Sequence, residues 1–158
     1  MLDYRECGER DCSVWVELNR AFMKEKIQKG DVWNDADQIS ESEFREIFYA
    51  GLKAPHQVRF LIFEEDEEPI GFANLVQYFS VWAHGQALII NDLYFSTAYK
   101  TKSIISRAIE LIEDYARGQG CKRIQLHSLP TGQSEMEFYK SIGYQPVDMK
   151  FCMKYMDE

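Results

Sequence analysis

The sequence predicts one α/β domain built on a single sheet, and three observations carry that expectation. Residues 87–127 read as strand, amphipathic helix, strand, the unit that sets two parallel strands side by side through a right-handed crossover. Between 58 and 79 apolar residues alternate at period two on either side of the acidic run Glu64 to Glu68, which makes an antiparallel hairpin. The chain has 158 residues, 46% apolar and 28% charged, which suits one domain with its own core and excludes disordered, coiled-coil and collagen-like classes.

The elements follow in order. Residues 2–7 alternate apolar and polar as a half-buried strand, and Gly8 to Asp11 turn the chain. Val14, Trp15, Leu18, Phe22 and Ile27 recur at helical spacing, with Gly30 as the stop, and 31–39 is a polar, aromatic, irregular loop. Ser40 and Glu43 form a capping box that opens a helix with Phe44, Ile47, Phe48 and Leu52 on one face, ended by Pro55. Strands at 58–64 and 70–79 make the hairpin, Trp82 to Gln86 turn the chain, and 87–95 is the next strand. Ile104, Ala108, Leu111, Ile112 and Tyr115 give the strongest helical period, closed at Arg117 and Gly118. A short strand at 123–127 follows. Ser134 and Glu137 form a second capping box, opening a helix with Met136, Tyr139 and Ile142 inward and Gly143 as its stop, and Phe151, Met153 and Tyr155 alternate in a last strand. The order is β-α-α-β-β-β-α-β-α-β, without repeat, low-complexity tract or flexible linker, so 1–158 reads as a single domain.

Charge and cysteines narrow the function. With 18 Lys and Arg against 26 Asp and Glu, the net charge of -8 repels phosphate backbones and anionic lipid, so neither nucleic acid nor membrane is an expected partner and a cationic ligand is favoured. Cys7, Cys12, Cys121 and Cys152 form no CxxC pair, which argues for reduced thiols and against a metal site. The charged start of residues 1–27 lacks a signal-peptide stretch and no apolar run reaches transmembrane length, so the expected location is the cytoplasm.

Two motifs carry a family resemblance. Ile90-Asn91-Asp92-Leu93-Tyr94-Phe95, followed by Ala98-Tyr99-Lys100 and the amphipathic helix, resembles the GNAT superfamily of N-acetyltransferases, and Phe138-Tyr139-Lys140-Ser141-Ile142-Gly143-Tyr144 resembles that family's late motif. With the element order, the resemblance covers nearly the whole chain; the acidic strand and the aromatic strand before it look most similar to polyamine and diamine acetyltransferases. It implies a GNAT fold, a single mixed central sheet of six to seven strands flanked by about four helices. One stretch departs from the pattern. The family's acetyl-CoA pyrophosphate loop, Gln/Arg-x-x-Gly-x-Gly/Ala, aligns with Lys100-Thr101-Lys102-Ser103-Ile104-Ile105, in which both glycines are missing and the β-branched Ile105 stands where family members are nearly bare.

The resemblance implies acetyl transfer from acetyl-CoA to a primary amine, without a metal. A primary amine, which ordinarily titrates at about 10.4, must lose a proton to attack, and Asp92 is the candidate base with Asn91 as orienting group. The backbone of Leu93, Tyr94 and Phe95 would pair with the pantetheine arm like an added strand and polarise the thioester, so that their side chains matter little. Tyr139 takes the general-acid position, and Lys100, Thr101, Lys102, Ser103, Ile104 and Ile105 would surround the pyrophosphate. The acceptor would lie between the 31–39 loop and 78–86, where Asp31, Trp33, Asp35, Asp37, Tyr78, Trp82 and His84 offer carboxylates and aromatic faces to an ammonium ion. Each assignment has a plainer counterpart: Asp92 as a paired strand-end carboxylate, Tyr139 as a core tyrosine. The family also implies a homodimer. A rival reading is a GNAT-fold protein that no longer catalyses and acts as a ligand-sensing or protein-binding module, for which the missing glycines speak.

Overall fold

The computed structural model describes residues 1–26, 39–127, 133–147, 149 and 151–156. Alternating apolar side chains on long strands need cover on both faces, and helices supply it here. The elements are β1 (Leu2–Glu6), α1 (Cys12–Lys26), α2 (Glu41–Leu52), β2 (Val58–Glu65), β3 (Glu68–Ser80), β4 (Gly85–Phe95), α3 (Lys102–Gly118), β5 (Arg123–Leu126) and α4 (Gln133–Ser141). The chain divides into two compact units, Met1–His127 and Ser128–Glu158.

In the first unit the strands lie in the order β1-β2-β3-β4-β5. The first four pair antiparallel, and β5 joins β4 in parallel, as the strand-helix-strand pattern requires. The sheet separates two cores. On one face Leu61, Phe63, Leu75, Leu88, Ile90 and Phe95 pack with Ala108 and Ile112 of α3. On the other, Phe60, Ile62, Phe72 and Tyr94 pack with Trp15 and Val16 of α1 and with Phe44 and Phe48 of α2.

The Ser40 capping box is present, Glu43 N donating to Ser40 Oγ at 3.2 Å and Ser40 N to the Glu43 carboxylate at 2.8 Å. Three expectations are corrected. The α3 helix is closed by Gly120 (φ +76) rather than Gly118: Cys121 N donates to Ala116 O and Gly120 N to Arg117 O, a Schellman closure whose left-handed position falls two residues later. Ser134 and Glu137 lie inside α4, so they are not its capping box. Gly143 (φ +99) does stop that helix, by the same Schellman pattern, with Tyr144 N donating to Tyr139 O. Finally, among the described residues the sheet has five strands rather than six to seven. Phe151, Met153 and Tyr155 are 74%, 41% and 66% exposed and lie in no strand, because alternation makes a strand only where a ladder partner and a buried face meet it.

The acidic run makes the β2–β3 turn as expected, but with Asp66 and Glu67 both at positive φ (50° and 67°). That is the backbone of a type I′ hairpin turn, which favours Asn-Gly over two long or charged side chains. Asp66→Asn combined with Glu67→Gly should therefore stabilise the fold by about 0.5–1 kcal/mol. A thermal melt should show a Tm higher by roughly 1–4 °C.

Candidate active site

A bulge in β4 builds the site. Leu75 of β3 faces Ile90 and Asn74 faces Asp92, so Asn91 is an extra residue without a partner. In an unbroken strand Asp92 would follow Leu88 and Ile90 onto the α3 face, because side chains alternate with period two. The extra residue switches it to the face covered by α1. There Asn74 Nδ2 donates to Asp92 Oδ2 at 2.9 Å. Beyond the bulge Leu93 and Phe95 fall on the α3 side and Tyr94 on the α1 side.

Asp92 is half-buried. Burial raises its pKa above the usual carboxylate value, opposed by hydrogen bonds from Asn74 and Asn91. Asn91 itself is exposed. A carboxylate raised in this way is a stronger base than a solvated one, which is what abstraction of an amine proton needs.

Among the described residues the pairing with β5 reaches the bulge. The parallel ladder runs from Ala87 opposite Arg123 to Ile90 opposite Leu126 and stops, while β4 continues to Phe95. Among the described residues, the β4 backbone past the bulge thus has a strand partner on the β3 side alone, and its other edge suits an extended chain carrying amide groups. The side chains there are not dispensable, contrary to expectation. Phe95 is 1% exposed and packs on Phe63, Tyr94 is buried against Phe22 and Phe72, and Leu93 joins the α3 core.

Residues 100–105 form a helix entry. Thr101 is the N-cap of α3, its hydroxyl accepting from Ile104 N at 3.2 Å, and Ile105 N donates to Thr101 O. Lys102 and Ser103, exposed, are the first two helical residues, whose N–H groups have no acceptor within the helix and point where an anion is favoured. Ile104 and Ile105 are half-buried against the core beneath α3. Lys100 already has a partner: its Nζ lies 2.6 Å from Glu25 Oε2 at the end of α1 and 5.0 Å from the Tyr94 ring centroid. Tyr94 Oη donates to the same carboxylate at 3.2 Å, and Lys100 draws the Glu25 pKa down.

Of the acceptor candidates, Asp31, Trp33, Asp35 and Asp37 lie outside the described residues. Tyr78 is on the Asn74 side of β3, its hydroxyl receiving Arg123 Nη2 at 2.7 Å and donating to Gln125 at 3.1 Å. Trp82 is 90% exposed at the tip of the β3–β4 turn, beside His84 at φ +63°. In the second unit Tyr139 Oη donates to Glu135 one turn earlier at 3.2 Å, and burial followed by the Glu135 charge pushes its pKa up to about 12. It stays protonated throughout the neutral range. Among the described residues no group of three or more His, Cys, Asp and Glu side chains could hold a metal ion, and no helix is long and apolar enough to cross a membrane.

Sequence reasoning missed Asn74, Asn19, Trp15 and Glu25. Asn19 did leave a signal: it follows Trp15 by four residues on the apolar face of α1, where a polar side chain needs a buried partner. Asn74, between Ala73 and Leu75 in an otherwise apolar stretch, left the matching one.

Comparison with known proteins fits this geometry. An uncharacterized N-acetyltransferase of Bacillus subtilis strain 168, YycN, is 23% identical over 150 residues, covering 90% of each chain. A possible acetyltransferase from Clostridium difficile 630 has the same fold at TM-score 0.81 and 14% identity, covering 100% of this chain and 99% of its own. A predicted acetyltransferase from Clostridium acetobutylicum, solved with acetyl-CoA, superposes at TM-score 0.71 and 19% identity, covering 98% and 96%. Residues 15–144 match the acetyltransferase (GNAT) family, from α1 through both motifs to the aromatic after Gly143. The chain belongs to the GNAT family of acetyltransferases.

Proposed function

We propose that this protein transfers an acetyl group from acetyl-CoA to the primary amine of a small molecule, with Asp92 as base, Asn91 beside it, and Tyr139 as acid. The observation that carries the reading is the bulge at Asn91. It turns Asp92 onto the α1 face at the point where, among the described residues, the β5 ladder ends. Acetyl-CoA use is supported by the β4 edge past that point, by the N–H groups of Lys102 and Ser103 at the start of α3, and by the acetyl-CoA-bound relative of the same fold.

In the proposed reaction Asp92 takes a proton from the acceptor's ammonium group. The amine nitrogen then attacks the thioester carbonyl carbon, and an N–H of the Leu93 to Phe95 backbone stabilises the oxyanion. A C–N bond forms, the C–S bond breaks, and the departing thiolate takes the phenol proton of Tyr139. The bonded nitrogen loses its second proton to solvent to give the neutral amide, and solvent restores the Tyr139 phenol and takes the proton held by Asp92. Tyr78, Trp33 and Asp35 form the acceptor side of this proposal, whereas Trp82, on the turn beyond Ser80 and Gly85, stands about 20 Å along β4 from Asp92 and is left out. A polyamine-like amine is the class the charge balance favours. We place the protein in the cytoplasm as one domain over 1–158, and as a homodimer, for which exposed Phe79 at the end of β3 and Val81 and Trp82 on the turn after it offer an apolar contact.

One observation favours the second reading, a ligand-sensing or protein-binding module. Lys100, two residues before α3, is held by Glu25, and the glycines are absent. Calorimetry separates the two. Acetyl-CoA at 100 times its Kd should add about 2.7 kcal/mol of stability, and no shift in Tm at millimolar acetyl-CoA supports the module.

Tyr139→Phe keeps the ring and removes the proton, so turnover should fall by roughly 10² to 10⁴ while calorimetry shows acetyl-CoA binding retained. Unchanged turnover would remove Tyr139 from the mechanism.

Asp92→Asn should lower activity most near neutrality and least at high pH, where free amine is abundant. Stability should move the other way. Because burial raises the folded-state pKa, stability at this position is fully present below the unfolded carboxylate value, about 4, and is lost as pH rises through the folded value. The Asp92→Asn protein should therefore melt above the parent at pH 7, with the gap closing toward pH 4.

A further inference from the structure

A buried polar chain leads from α1 to Asp92. Trp15 Nε1 lies 2.9 Å from Asn74 Oδ1, Asn74 Nδ2 lies 2.9 Å from Asn19 Oδ1 and 2.9 Å from Asp92 Oδ2, and Asn19 Nδ2 donates to Trp15 O at 2.7 Å. Trp15 and Asn19 are each 2% exposed and Asn74 is 8% exposed, in a core that is otherwise apolar.

The chemistry of the donors fixes the direction of this chain. An indole N–H only donates, so the Asn74 atom facing it must be the carbonyl oxygen. The Asn74 amide nitrogen is then turned toward Asn19 and Asp92, and both of its hydrogens are used. The Asn19 amide is fixed in turn, because its nitrogen is spent on the Trp15 carbonyl one helical turn back and its oxygen is left to receive Asn74. Each side chain removes the freedom of the next to flip. Left unlocked, a side-chain amide can present either a hydrogen or a lone pair to a neighbour. Here Asp92 meets a hydrogen.

We infer that Asn74 is a positioning residue for Asp92, held by Trp15 and Asn19 so that it offers the carboxylate a hydrogen and fixes the oxygen it binds. This inference rests on Asp92 being the base. With Oδ2 engaged by Asn74, Oδ1 is the oxygen that receives the acceptor's proton. The network holds no charge of its own: among the described residues no charged side chain on α1, β3 or β4 acts on Asp92, which is set by burial and by the two amides Asn74 and Asn91. Removing the Asn74 hydrogen therefore acts on the protonation of Asp92 directly, since a hydrogen bond to the charged form favours that form.

The test compares the full chain with Asn74→Asp, Trp15→Phe and Asp92→Asn, reading the pH profile of kcat/KM with acetyl-CoA and an accepted amine. The midpoint of the ¹³C carboxyl signal of Asp92 is followed in parallel and needs no turnover. Asn74→Asp keeps the shape and the acceptor for Trp15 but sets a carboxylate oxygen against Asp92. The acidic limb and the ¹³C midpoint should both move to higher pH by at least about one unit, a tenfold loss on the acidic side, with activity recovering on the alkaline side. Trp15→Phe leaves Asn74 and Asp92 in place and removes one of the two groups that fix the amide, the Asn19 oxygen remaining. It loosens the hydrogen offered to Asp92 and should move both readouts the same way by less, and it keeps the test alive if Asn74→Asp fails to fold. A uniform loss at every pH, or an unmoved ¹³C midpoint in both variants, overturns the inference. If Asp92→Asn keeps full activity and its acidic limb, the base assignment itself fails. If instead Asp92→Asn abolishes activity while the Asn74 and Trp15 variants keep the parent midpoint, the base stands and only the positioning role of Asn74 falls.

Discussion

The extra residue in β4 is the constraint on which the site depends. A strand that is buried on both faces cannot exchange one face for the other without a break in its period, and Asn91 supplies the break. Upstream, the strand feeds Leu88 and Ile90 to the α3 core; downstream it feeds Leu93 and Phe95 to the same core. Between them a single carboxylate is handed to the opposite side. Without the bulge Asp92 would enter the apolar layer under α3, away from the Asn74 amide that now binds it. Among the described residues the β5 ladder ends at Ile90, so the residue that aims the carboxylate stands where the strand edge loses its parallel partner.

The packing around that point explains why the arrangement holds. Tyr94, Phe72 and Phe22 form an aromatic cluster on the α1 side, and Phe95 closes on Phe63 from the other. These side chains clamp β4 immediately after the bulge, so its position is set by two cores at once. A truncation such as Phe95→Ala removes packing of the kind that costs about 3–5 kcal/mol. Loss of function there is a loss of scaffold, since the chemistry proposed for 93–95 belongs to the backbone.

Much of the fold was legible in the sequence because its elements announce themselves locally. The Ser40 box, the i, i+4, i+7 spacing in α3 and the acidic turn are each decided by neighbours in the chain, and the structure keeps all three. What was not legible depends on distant partners. Alternation across 87–95 runs through the bulge without a mark, because nothing in Ile90-Asn91-Asp92 states that Asn91 will be left unpaired. Gly118 and Gly120 are both plausible helix stops, and only the hydrogen bonds of Ala116 and Arg117 decide for the second. The candidate site was legible only in part for the same reason: Asp92 is visible as an acid near a strand end, whereas the amides that hold it in place, Asn74 and behind it Asn19, come from other elements far back in the chain. The last strand failed most simply, since 151–155 alternates without meeting a ladder in the described residues.

The pair between Lys100 and Glu25 changes what positive charge means at the start of α3. Lys100 is not a vacant cation waiting for an anion, because a carboxylate from α1 already occupies it and the Tyr94 hydroxyl steadies that carboxylate. An incoming anion must exchange with Glu25, so its gain at Lys100 is the difference between two ion pairs rather than the whole of one. The released carboxylate would then face the newcomer as a like charge. Arrival of a negative group at this position is in effect a ligand substitution, with the end of α1 as the leaving group.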